Sequence, residues 1–132
     1  MKKILTLILF AMMMVGNSFA QSHLVATLDH EGTVSVFTGK DAFINAYEAA
    51  ADGDVITLSS GAFNSKLTIT KAISLYGAGM LPYESASILS DTLSIDIPVN
   101  ANHDLLIEGM RFGVVYTYGL SKATFLNLNI SY

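Results

Sequence analysis

Apolar residues dominate one long run near the start of the chain and then recur in short stretches separated by polar punctuation. Ile4 to Val15 is apolar apart from Thr6, preceded by Lys2 and Lys3 and ended by Gly16 and Asn17. Ser18-Phe19-Ala20 then sets small residues at the two positions a signal peptidase reads. The pattern predicts a cleaved secretory signal over residues 1–20, with the mature protein starting at Gln21. The run is shorter than the roughly 20 apolar residues that cross a bilayer. No transmembrane segment is therefore expected after cleavage.

Past the signal, Leu24–Leu28 and Thr33–Phe37 predict a β-hairpin joined by Asp29-His30-Glu31-Gly32. Helical spacing takes over in Ala42–Ala51, where Phe43, Ala46, Tyr47 and Ala50 form one apolar face. Asp41 is placed to cap this helix and Asp52-Gly53 to stop it. A single amphipathic helix ahead of a run of strands suits the task of covering an open core. From Asp54 onward the stretches are short: Val55–Leu58, Lys66–Thr70, Ile73–Tyr76, Ser87–Leu89, Leu93–Ile97, Leu105–Phe112 and Ala123–Ile130. So many short strands predict an all-β body.

The strands repeat. Leu106–Phe112 (LIEGMRF) laid over Thr124–Ile130 (TFLNLNI), 18 residues on, pairs Ile107 with Phe125, Met110 with Leu128 and Phe112 with Ile130. Ser74–Met80 (SLYGAGM), 32 residues earlier, pairs Leu75, Ala78 and Met80 with the same positions. Gly77, Gly109 and Asn127 then coincide at a bend, where tolerance of positive φ matters. A coil of about 18 residues whose side chains stack on their equivalents is the requirement of a parallel β-helix. The longer offset predicts a looped-out excursion within Pro82–Asn102.

The arrangement of Asp41–Gly79 resembles the start of right-handed parallel β-helix proteins of the pectate-lyase-like superfamily. The matching features are a short helix ending in "AAADGD", the strand "VITL", the "SGAF" turn and "LTITKAISLYGAG". At about 20 residues per coil, residues 54–132 make about three to four coils, led by the hairpin and capping helix of residues 21–53. The resemblance implies architecture and not chemistry, since that superfamily holds lyases, esterases, glycoside hydrolases and non-catalytic surface proteins.

Composition narrows the setting. The formal charge of −4 becomes −6 once Lys2 and Lys3 leave with the signal. The remaining bases, Lys40, Lys66, Lys71, Arg111 and Lys122, are scattered, so nucleic acid is not an expected partner. There is no cysteine, which excludes both a disulfide framework and a lipidated N-terminal cysteine. These features together suit a bacterial protein working in the periplasm, at the cell surface or outside the cell.

Candidate chemistry is sparse. Asp91 and Asp96 are the carboxylates considered for Ca²⁺, yet five positions apart on a strand they face opposite ways. No cofactor is otherwise expected. Glu108 and Arg111 flank the Gly109 bend and are candidate ligand-binding residues, with a surface ion pair as the plainer reading. His103-Asp104 and Asp29-His30-Glu31 read as turns. Tyr76, Tyr83, Tyr116, Tyr118 and Tyr132 do not share the repeat register and read as half-buried strand tyrosines instead of a sugar-stacking face.

No catalytic constellation emerges. The expected function is a structural or glycan-binding module with polysaccharide or cell-surface partners. The alternative is the N-terminal part of a polysaccharide-degrading enzyme with its catalytic coils beyond residue 132. The last strand lacks a polar cap, so end-to-end association through it is also expected.

Overall fold

The computed structural model describes residues 23–118 and 123–130. Residues 1–22, 119–122 and 131–132 lie outside the described residues, and with them the signal expected over 1–20 and the candidate Tyr132. Among those described, no helix is long and apolar enough to cross a membrane.

The chain begins with an antiparallel hairpin of β1 (Val25–His30) and β2 (Thr33–Thr38). Its turn is tighter than the sequence suggests, with only Glu31 and Gly32 between the paired His30 and Thr33. Both have positive φ, 50° and 83°, the condition for a two-residue turn that matches strand twist. Asp29 Oδ1 accepts the Gly32 N–H at 2.8 Å and holds that turn.

Helix α1 (Ala42–Ala49) follows and buries Ala42, Phe43, Ala46 and Tyr47. Asp41 does not cap it. Its Oδ1 accepts a hydrogen bond from Asn64 Nδ2 at 2.7 Å, so it ties the helix start to the first coil. The helix also ends earlier than its apolar spacing implies, with Ala50 already extended. Lys71 supplies the missing C-terminal partners. Its ammonium donates to the carbonyls of Tyr47, Glu48 and Ala50 at 2.8, 3.1 and 2.7 Å, and lies 4.8 Å from the Tyr47 ring centre. The Tyr47 hydroxyl oxygen accepts the Thr70 N–H at 2.8 Å, so one side chain joins helix to coil.

The body is a parallel β-helix of about three turns. Its strands are β3 (Val55–Leu58), β4 (Gly61–Phe63), β5 (Leu67–Ile69), β6 (Ser74–Tyr76), β7 (Ser87–Asp96), β8 (Leu105–Tyr118) and β9 (Ala123–Ile130). On one face Ile56, Leu75, Ile107 and Phe125 stack in register through β3, β6, β8 and β9. On a second, Phe63, Leu89, Phe112 and Ile130 stack through β4, β7, β8 and β9. A third joins β5, β7 and β8, with Leu67, Leu93 and Val115 aligned. At the head, β1 pairs antiparallel with β3 and covers the edge of the first coil.

The 18-residue stride between β8 and β9 is the one the sequence predicts. The 32-residue offset holds for Ser74–Tyr76 against Leu106–Glu108, and then fails. Ser87 and Leu89, in place of Ala78 and Met80, pair with Met110 and Phe112. The extra length is therefore split between residues 77–86 and 97–104, with β7 belonging to the coil instead of to one continuous excursion. "SGAF" likewise contributes strand β4 as well as a turn.

The bend carries two different needs for small residues. Gly109 and Asn127 have φ of 70° and 50°, the left-handed conformation expected there. Gly77 does not; a Cβ on it would collide with the Gly109 carbonyl oxygen. It is glycine because two coils meet backbone to backbone, with Gly77 N–H donating to Glu108 O at 2.8 Å.

Candidate functional site

The four residues singled out in the sequence occupy separate places. Asp91 lies where the β7–β8 register shifts between Leu89 and Thr92. Its Oδ2 accepts the Ser65 N–H at 2.9 Å, while its own N–H donates to the fully buried Ser65 Oγ at 3.0 Å. Asp91 thus holds the corner of one coil to the next. Asp96 is exposed at the end of β7, paired with Tyr118. Glu108 accepts a 3.2 Å bond from Asn127 Nδ2, and Arg111 sits between Ile88 and Asn129 in the ladder. Both are half-buried.

Outward positions on the third face make a more coherent surface. Thr68, Ser94 and Tyr116 form one file across β5, β7 and β8, and Asp96 adjoins Tyr118. Tyr116 and Tyr118 are 54% and 59% exposed, not half-buried as their strand setting suggests. Two residues apart on a strand, they share a side and stand about 6.5 Å apart. Hydroxyls and a carboxylate beside two exposed rings can stack an amphipathic ligand and bond its polar rim. The repeat register hides this pair, because β7 offers Ser94 and Asp96 where β8 offers tyrosines. Period-two spacing within β8 is the signal that finds it.

A second feature is a cleft of about 450 Å³ between the hairpin turn and the loop leading into β3, lined by Asp29, His30, Glu31, Asp52, Asp54 and His103 among others. His30 does more than decorate a turn. Its Nδ1 donates to the buried Asp54 at 2.8 Å, and Asp54 Oδ2 also accepts the Ala51 N–H at 2.7 Å. The bond to Asp54, then its charge, raises the His30 pKa against slight desolvation, with Glu31 and Asp29 adding to the rise. Burial alone would raise the Asp54 pKa. The Ala51 bond, the His30 bond and charge, and Lys71 outweigh it and hold Asp54 below its ordinary value.

The neighbouring carboxylates of the cleft are also engaged, Asp52 by the Ala72 N–H at 2.9 Å and Asp29 by the hairpin turn. His103 packs its ring against Gly53. Among the described residues no three His, Cys, Asp or Glu form a group able to hold a metal.

Fold and register define the class as a β-solenoid consistent with a parallel β-helix in general. No family model matches the chain, and no curated protein or solved structure does.

Proposed function

We propose that this chain is an exported, non-catalytic β-helix of the pectate-lyase-like kind that binds polysaccharide at or outside the cell surface. The observation that carries the reading is the pair of exposed rings, Tyr116 and Tyr118, set beside Ser94, Thr68 and Asp96 on one sheet face. Sugar rings present apolar C–H faces edged by hydroxyls, and this surface offers the complement of both. A non-catalytic role is favoured by the cleft carboxylates. Asp29, Asp52 and Asp54 accept backbone N–H groups that close turns and join segments. A glycosidase would instead need two carboxyl groups about 5 to 10 Å apart across a groove.

The test is retention of the purified protein by polygalacturonate and other soluble glycans in affinity electrophoresis. At least one glycan should slow the protein. Tyr116→Ala and Tyr118→Ala should each weaken binding roughly 2- to 10-fold, from about 0.5–1.5 kcal/mol per stacked ring. Binding that ignores both substitutions, or ultraviolet-absorbing unsaturated product from polygalacturonate, contradicts the reading.

A further inference from the structure

Strand β2 is the outer strand of the hairpin. Among the described residues it pairs with β1 alone and ends the sheet order at the head. Its sequence, Thr33-Val34-Ser35-Val36-Phe37-Thr38, has no charged residue or proline, the usual protection of an edge. Val34 and Val36 are 60% and 63% exposed, so neither is held by this chain's own core.

The turn fixes which backbone groups face outward. In a two-residue turn the Thr33 N–H bonds back to His30 O, and such pairs then alternate along the ladder. Thr33, Ser35 and Phe37 therefore exchange bonds with β1, a parity that continues to Gly39, whose N–H donates to Leu24 O at 2.9 Å. Val34 and Val36 turn their N–H and C=O groups the other way, out from the sheet edge.

We propose that a second copy of this chain occupies this edge, with β2 antiparallel to β2 about a two-fold axis at Ser35. The register sets Val34 opposite Val36 of the second copy and Val36 opposite its Val34. Outward groups then meet outward groups, with two backbone hydrogen bonds in each pair. The exposed valines cover one another across the strands, and Thr33 lies opposite Phe37. A contact of this kind uses the same patch on both copies and closes at two.

Charge favours this direction. Beyond the strand the register brings the turn of one copy, with Asp29, His30 and Glu31, towards Gly39, Lys40 and Asp41 of the other. His30 is held by Asp54, Asp29 by the Gly32 N–H and Asp41 by Asn64. The exposed Glu31 and Lys40 are left to attract each other, once at each end of the pair. A parallel arrangement would set Glu31 beside Glu31 and Lys40 beside Lys40.

The chain has no cysteine, so single cysteines report the contact. Ser35 faces itself in a non-hydrogen-bonded pair, where Cα atoms stand about 4.5 Å apart, within disulfide reach. Ser35→Cys should therefore give a linked dimer under mild oxidation. Thr33→Cys, whose two copies stand about 13 Å apart in this register, should stay unlinked under the same conditions. Sedimentation velocity of the unchanged protein over a concentration series, with no glycan present, should rise to a plateau at two copies. Val36→Lys should weaken that dimer about tenfold, since each dimer loses two valine contacts. At monomeric dilution its unfolding midpoint should match that of the unchanged protein, because the side chain it replaces is exposed. A protein that stays monomeric at every concentration overturns the proposal. So does mass that passes two copies without a plateau, equal linking of Ser35→Cys and Thr33→Cys, or a Val36→Lys dimer as tight as the unchanged one.

Discussion

At the head the core runs beneath helix α1 and the hairpin, whereas toward the tail the last strand among the described residues, β9, is packed on one side by β8. The same stacked files record the difference. Ile56, Leu75 and Ile107 are fully buried and Phe125, next in line, is 36% exposed; Phe63, Leu89 and Phe112 are buried and Ile130 is 51% exposed. The head is also cross-tied by polar contacts that span more than 20 positions of sequence: Lys71 to the helix carbonyls, Tyr47 to Thr70, Asn64 to Asp41, His30 to Asp54. At the tail the described contacts include the β8–β9 ladder, its apolar stack and the Asn127–Glu108 bond. The lesson is that a repeat stabilises its interior by stacking alone, while an end needs non-repeating residues.

The largest expected contrast comes from truncating one apolar side chain at each end. Phe43→Ala empties a fully buried site under the helix and should cost about 3–5 kcal/mol. Ile130→Ala, at a half-exposed position, should cost less than about 1 kcal/mol. Thermal or urea unfolding reads both. Equal losses would break the distinction between the ends.

A smaller effect should follow pH. His30 is raised above 6.5, so its share of the clamp is complete below 6.5 and is lost as pH rises through its folded-state pKa. Asp54 is lowered below 3.8, so its share is complete above 3.8 and is lost as pH falls through its folded-state pKa. The clamp is therefore strongest between about 3.8 and 6.5. His30 is 54% exposed, so screening keeps the effect small. Melting temperatures of the unchanged protein should decline from pH 6 to pH 9 more than those of His30→Ala; parallel curves would show that the clamp adds nothing.

How much of this was legible in the sequence depends on distance along the chain. The β8–β9 stride could be read because no insertion interrupts it, so Ile107, Met110 and Phe112 meet their equivalents directly. The second coil could be read only as far as Tyr76, because the loops at 77–86 and 97–104 shift the register on either side of β7. Helix α1 showed its apolar face but not its end, since Lys71, which serves its last carbonyls, lies 21 residues beyond Ala50. Asp91 stood among the candidate residues with no partner in view for the same reason. Its partner Ser65 is 26 positions away, and composition does not reveal which acids are committed to backbone bonds. The paired tyrosines were visible as a spacing of two, but their exposure depended on where the coil turned.

The central claim is a parallel β-helix whose head is closed by the hairpin and helix α1 and whose last described strand, β9, is the least covered of the stack. Native-state amide hydrogen exchange on the dilute protein tests it most directly. The ladder amides of β3, β6 and the first half of β8 should open only with global unfolding, the hairpin β1 should follow them closely, and β9 should exchange first, at a lower opening free energy. Protection of β9 equal to that of β6, or a hairpin that opens before β9, would contradict the account.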